Sequence, residues 1–150
     1  MNTLALVLLG IAVVNPPRVR LLLGARASAV RSRAAAGGAA VALLVAVGLA
    51  AIAGQLIDAL DVSPETFRIA AALVITLGGV LTVAYGGSTP EALSGERRDA
   101  LIPVAYPILL GPAPVLTWLV LGVDRGIAPT LGVAAAGYVS AALLAGAPEG

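Results

Sequence analysis

Five stretches of about 20 apolar residues, each long enough at 1.5 Å per residue to cross a hydrocarbon layer near 30 Å, constrain this chain more than any motif within it. Residues 3–23 are apolar except around Asn15 to Arg20, residues 37–57 carry no charge, and residues 67–87 contain only Arg68, close to one end. Residues 101–122 are uncharged but hold Pro103, Pro107, Pro112 and Pro114, and residues 129–147 form a last Ala/Gly-rich run. With charged residues at 11% and mean hydropathy at +1.01, the chain is far from a soluble domain, in which about a quarter of the residues are charged. The spacing therefore predicts an all-α membrane protein with about five transmembrane helices in one domain, residues 1–150.

Arginine placement predicts the orientation, because short cytoplasmic loops collect basic residues and translocated loops do not. Arg18, Arg20, Arg26, Arg31 and Arg33 fall after the first apolar run, and Arg97 and Arg98 fall between the third and fourth. Loops 24–36 and 88–100 are then cytoplasmic, the N-terminus outside and the C-terminus inside. The competing reading is a cleaved signal peptide ending at Ala27-Ser28-Ala29. Met1-Asn2-Thr3 lacks the basic residue such a segment carries before its apolar run, so the segment is read as retained. Ser63-Pro64-Glu65 supplies an N-cap hydroxyl, a first-turn proline and a first-turn carboxylate for the third span. Thr89-Pro90-Glu91 repeats the pattern before a short cytoplasmic helical piece reaching Asp99.

Composition also removes chemistry. Neither Cys nor His is present and the acidic residues lie apart in sequence, so zinc, thiol and imidazole chemistry are excluded, and no cofactor or metal site is expected. No nucleophile–base pair falls within a span, which argues against an intramembrane enzyme. A net charge of +1 and 3% aromatic residues give nucleic acid neither a basic surface nor a stacking platform.

Helices in lipid associate through close approach of small residues. Ala42, Ala46, Ala50 and Gly54 recur four apart on the second span and Gly137, Ala141 and Ala145 on the fifth, predicting two packing seams, and Gly78-Gly79 is read as a further helix contact. Such faces also make a homo-oligomer plausible.

The first and fourth spans both break near their middles, at Asn15-Pro16-Pro17 and at Gly111-Pro112-Ala113-Pro114. Proline lacks an N–H and clashes with the preceding turn, so each break frees backbone carbonyls, which membrane depth tolerates only where they are buried or line a wet cavity. Aligning Pro16 with Pro112 places three spans between the starts of the two segments. Three is odd, so the two copies face opposite ways, as in inverted repeats whose interrupted helices meet a solute. The plain alternative is that the prolines only kink the helices. Asn15, Pro16, Gly111, Pro112 and Thr117 are the candidate substrate-binding residues. Thr117 presents a hydroxyl to the same cavity or bonds back to its own helix. Arg18 and Arg20 snorkel to the cytoplasmic surface or attract an anionic solute. Gln55, Asp58 and Asp61 are read as solvated, with Asp58 the alternative coupling site. Tyr85, Tyr106, Tyr138 and Trp118 are read as interfacial anchors, with Tyr106 and Trp118, which flank the second break, as alternative cavity walls.

The stretches VVNPPRVRLLL (13–23), VSPETFRIAAALVITLGGVL (62–81) and IPVAYPILLGPAPVLT (102–117) resemble, in order and spacing, the MarC family of bacterial inner-membrane proteins. The resemblance implies two inverted three-helix repeats in a superfamily of amino-acid exporters of the bacterial cytoplasmic membrane, some of whose members are assigned to transport of small neutral amino acids. It places the family motifs at Asn15, Pro16, Phe67, Arg68, Pro107, Gly111 and Pro112. The family has six spans where this chain has room for five, so the second repeat is incomplete. Ala71-Ala72 stand where a glycine pair is expected, Ala113-Pro114 follow the second break in place of glycine, and Arg18 and Arg20 follow Asn-Pro in place of apolar or small residues. Two functions are carried forward: a secondary transporter or exporter of small neutral solutes, and a non-transporting membrane subunit or scaffold that needs a second copy or partner to complete the bundle.

Overall fold

A computed structural model describes residues 2–23, 28–85 and 109–147. The described chain is helical throughout: α1 (Thr3–Val14), α2 (Pro16–Leu23), α3 (Ser28–Ala59), α4 (Pro64–Tyr85), α5 (Pro112–Arg125) and α6 (Ile127–Gly146). Four segments are long and apolar enough to cross a membrane, Thr3–Leu21, Ala29–Ala59, Pro64–Leu81 and Ile127–Gly146. The protein is an all-α membrane protein. The fourth expected span begins outside the described residues, as do Arg26, Thr89-Pro90-Glu91, Arg97, Arg98, Tyr106 and Pro107; its described part is α5, which is 14 residues long.

Local chemistry sets the ends of these helices. Asn2 caps α1, its side chain accepting from the Ala5 N–H at 2.8 Å. Ser63 caps α4 as its sequence predicts, accepting from the Thr66 N–H at 3.2 Å with Pro64 in the first turn. Helix α3 departs from expectation. Residues 28–36, read as cytoplasmic loop, are helical, because the Ala34-Ala35-Ala36 run and its arginines are good helix formers and nothing between Ser28 and Ala59 breaks the turn. At 32 residues α3 extends about 48 Å, well beyond the hydrocarbon layer. Arg31, read as a loop cation, is instead 4% exposed on this helix and engaged with its neighbours.

Close contacts give the relative directions. A methyl added at Gly137 would lie 2.5 Å from the Gly10 carbonyl oxygen and 2.8 Å from Val14, and Gly10 abuts Val133, so α1 runs parallel to α6. Gly146 at the end of α6 approaches Ser32 near the start of α3, and Gly122 near the end of α5 lies against Ala50 and Ala53 near the end of α3. Helices α3 and α6 are thus antiparallel, and α5 runs with α3. Arg68 on α4 pairs with Asp124 on α5 at 2.7 Å. Arg18, Arg20, Arg31 and Arg33 consequently gather at one end of the bundle, and Asp58, Asp61, Glu65 and Asp124 at the other.

The core lies between α3, α5 and α6, with α1 and α2 against α6; it contains Val14, Val19, Leu23, Ala35, Ala42, Ala46, Leu109, Trp118 and Tyr138 among others. Both predicted seams form. Ala42, Ala46 and Ala50 are buried, as are Gly137, Ala141 and Ala145. Three glycines differ: a Cβ added at Gly54, Gly78 or Gly79 would meet nothing within 4 Å. Gly54 is rotated off the buried face of α3, which passes from Ala50 to Ala53 and Ile57 as a 3.6-residue helix requires, and the glycine pair lies on the exposed side of α4 among the described residues. Of the described side chains of α4, Ala71 alone is buried.

Candidate functional site

The first break is a single residue. Asn15 adopts the left-handed conformation (φ 52°, ψ 66°), which asparagine tolerates better than most residues. Its N–H closes α1 onto the Ile11 carbonyl at 3.0 Å, and its own carbonyl accepts from the Arg18 N–H at 3.0 Å. The side-chain Oδ1 also accepts from Arg18 N–H, at 3.4 Å. Asn15 thus ends one helix and starts the next, while Pro16 and Pro17 occupy first-turn positions where no N–H is required. Asn15 is exposed; Pro16 and the flanking Val14 and Val19 are buried.

The second break is built differently. Gly111 is extended (φ −65°, ψ 174°) and caps α5 without a side chain, and Pro112 follows at its first position. Gly111 is buried and Pro112 exposed. Thr117 is buried, and its hydroxyl donates to the Ala113 carbonyl one turn back at 2.8 Å, so of the two roles open to it the back-bond is observed.

A tyrosine on another helix ties off this break. The Tyr138 hydroxyl donates to the Leu109 carbonyl at 3.1 Å and accepts from Trp118 Nε1 at 2.9 Å. The two rings lie 5.9 Å apart at 60°, a tilted arrangement favourable for aromatic pairs. Leu109, Trp118 and Tyr138 are all essentially inaccessible. Reading Tyr138 and Trp118 as interfacial anchors is therefore incorrect: each ring is in the core because its polar atom finds a partner there. Trp118 was legible as a neighbour of the second break. Tyr138 was not, since nothing in its local sequence points to a carbonyl 29 residues away.

The breaks share a core, in which Val14 and Val19 flank the first and Leu109 precedes the second. Among the described residues, a groove of about 380 Å³ lies between α3 and α6, lined by Ser32, Ala36, Ala39, Leu43, Tyr138 and Ala142 with Ala40, Val139 and Leu143. Asn15, Pro16, Gly111, Pro112 and Thr117 do not line this groove; Tyr138 connects it with the second break. Gln55, Asp58 and Asp61 are exposed at the acidic end, in line with their solvated reading.

No family model, curated protein or solved structure matches this chain, so the MarC likeness rests on its three sequence stretches alone.

Proposed function

We propose that the chain is a MarC-like secondary transporter or exporter of small neutral, amino-acid-like solutes in the bacterial cytoplasmic membrane, with its N-terminus outside and its C-terminus cytoplasmic. The observation that carries this reading is the pair of broken helices, each opening beside the same core: left-handed Asn15 between α1 and α2, and extended Gly111 before α5. Interrupted helices in two halves of a membrane bundle are the places where backbone and amide groups meet a solute. Asn15 offers the amide, and the Gly111–Pro112 turn the second half-site. The gathering of Arg18, Arg20, Arg31 and Arg33 at the end opposite Asp58, Asp61, Glu65 and Asp124, where Arg68 and Arg125 are the described arginines, supports the orientation.

Flux of labelled alanine, glycine and serine in proteoliposomes, with and without a proton or sodium gradient, tests this. The expected result is saturable flux that Asn15→Gly abolishes, because glycine keeps the left-handed backbone and removes only the amide. No flux from correctly inserted protein overturns the proposal.

A second reading is a non-transporting subunit that needs another copy or partner. It is favoured by α4, which packs on α5 and buries only Ala71 among its described side chains. Cross-linking through α4 in native membranes supports it, and a strict monomer without a partner overturns it.

A further inference from the structure

The groove between α3 and α6 has a shape, a polarity and a charged end that together specify an occupant. From Ser32 to Leu43 it follows α3 for about 16 Å at 1.5 Å per residue, roughly one leaflet of a 30 Å hydrocarbon layer. About 380 Å³ spread over that length suits one extended chain better than a compact solute. The walls are Ala, Val and Leu side chains apart from Ser32 at one end and Tyr138. The Tyr138 hydroxyl is already committed as donor to Leu109 and as acceptor from Trp118. A zwitterionic solute placed there would lose its hydration without replacement; an acyl chain would lose nothing.

The end of the groove is cationic. Arg33 is exposed and lies three residues before Ala36 and seven before Ala40, on the helix face that these two groove residues share. Helical side chains lean toward the N-terminus, which carries the guanidinium from that face toward the arginine-rich end of the bundle. Arg18, also exposed, belongs to the same end. An anionic phosphate at headgroup level beside Arg33, with its chain in the groove, satisfies both requirements at once.

We infer that the α3–α6 groove is a binding site for an anionic phospholipid, its acyl chain lying along Ala36, Ala40 and Ala142 and its headgroup held by Arg33. This goes beyond the transport reading and does not depend on it.

Trp118 is the single tryptophan, and it touches the ring of Tyr138, which lines the groove. Bromine on an acyl chain quenches indole over a short range that extends beyond contact, so Trp118, one ring behind the Tyr138 wall of the groove, reports occupancy. The full chain is reconstituted in phosphatidylcholine vesicles with increasing brominated phosphatidylglycerol or brominated phosphatidylcholine. The expected result is half-maximal quenching at about fivefold lower mole fraction for the anionic lipid, the scale of one arginine beside an anionic surface. Arg33→Gln, an exposed substitution, should bring the two curves together. Ala40→Leu, also exposed, should fill the groove and weaken quenching by both, while Leu73→Phe, exposed on α4 and outside the groove, leaves both unchanged. Coincident curves for the native chain, or an anionic preference that survives Arg33→Gln, overturn the assignment. Absence of quenching by either lipid also overturns it.

Discussion

A methyl group added at Gly137 would lie 2.5 Å from the Gly10 carbonyl oxygen, whereas one added at Gly78 or Gly79 would meet nothing within 4 Å. The first pair lies where α1 crosses α6 and the second on α4, and both occur in apolar stretches without charge. Small residues in lipid are thus of two kinds. At the α1–α6 crossing glycine lets two backbones touch, and the seam continues through Ala141 and Ala145. On α4 it leaves a smooth face surrounded by exposed Ile69, Leu73, Leu77 and Val80, suited to lipid or to another protein surface. Both stretches are apolar and uncharged, so the difference lies in what each helix has opposite it.

Gly137→Leu is the severest way to break this contrast. The obstructing atom is a backbone oxygen, which cannot rotate away, so the helices must separate; the cost is expected to reach about 3 kcal/mol or more, the upper end for overpacking. Gly78→Leu should leave stability unchanged. Thermal unfolding in detergent, followed by Trp118 fluorescence, reads both. Equal effects would mean that α4 is covered in the folded protein.

Tyr138→Phe probes the packed side from its polar centre. The substitution keeps the ring and leaves the Leu109 carbonyl and Trp118 Nε1 without the hydroxyl that joins them. The expected loss is about 2 kcal/mol for two stranded buried groups, with a shift of Trp118 emission. An unchanged melting point would show that water or a rearranged α5 break satisfies them.

How far these contrasts were legible in the sequence depends on how local their causes are. The Ser63 cap and the Asn15 break are written within four residues of themselves and were read directly. The seams at Ala42, Ala46 and Ala50 and at Gly137, Ala141 and Ala145 followed from helical spacing alone. A strict four-residue spacing drifts around a 3.6-residue helix, so the seam passes through Ala53 and Ile57 and not Gly54, and spacing carries no information about the opposite helix, so it does not tell the open face at Gly78-Gly79 from a close crossing. The arginines at 31 and 33 suggested a loop, yet the helix-forming alanines beside them extend α3 back to Ser28. Tyr138 was misplaced for the same reason as the α4 glycines: its partners lie on other segments. The candidate site was legible as two breaks, but not in how each is closed, by an asparagine on its own backbone and by a tyrosine from across the core.

Asn15→Ala sharpens the comparison at the α1–α2 junction. Alanine in the left-handed region and loss of the cap together are expected to cost about 1–2 kcal/mol, and Asn15→Gly only a few tenths, because glycine accepts that backbone freely. If both variants unfold alike, the side chain rather than the backbone holds the junction.

The smallest effect is expected on the open side, at the ion pair that joins α4 to α5. Arg68 and Asp124 meet at 2.7 Å with their side chains 50% and 25% exposed. Exposed pairs of this kind contribute below about 1 kcal/mol. Screening reaches them readily, since the Debye length is about 8 Å at physiological salt. Arg68→Gln should therefore lower the melting temperature slightly at low salt and leave it unchanged in about 1 M salt. Because α4 buries so little else, the same substitution should loosen α4 selectively, raising proteolysis within the Leu60–Ser63 turn while the Trp118 signal from the α5–α6 core stays constant. If Trp118 responds together with the turn, α4 and the core unfold as one unit, and the division between a packed seam and an open helix fails.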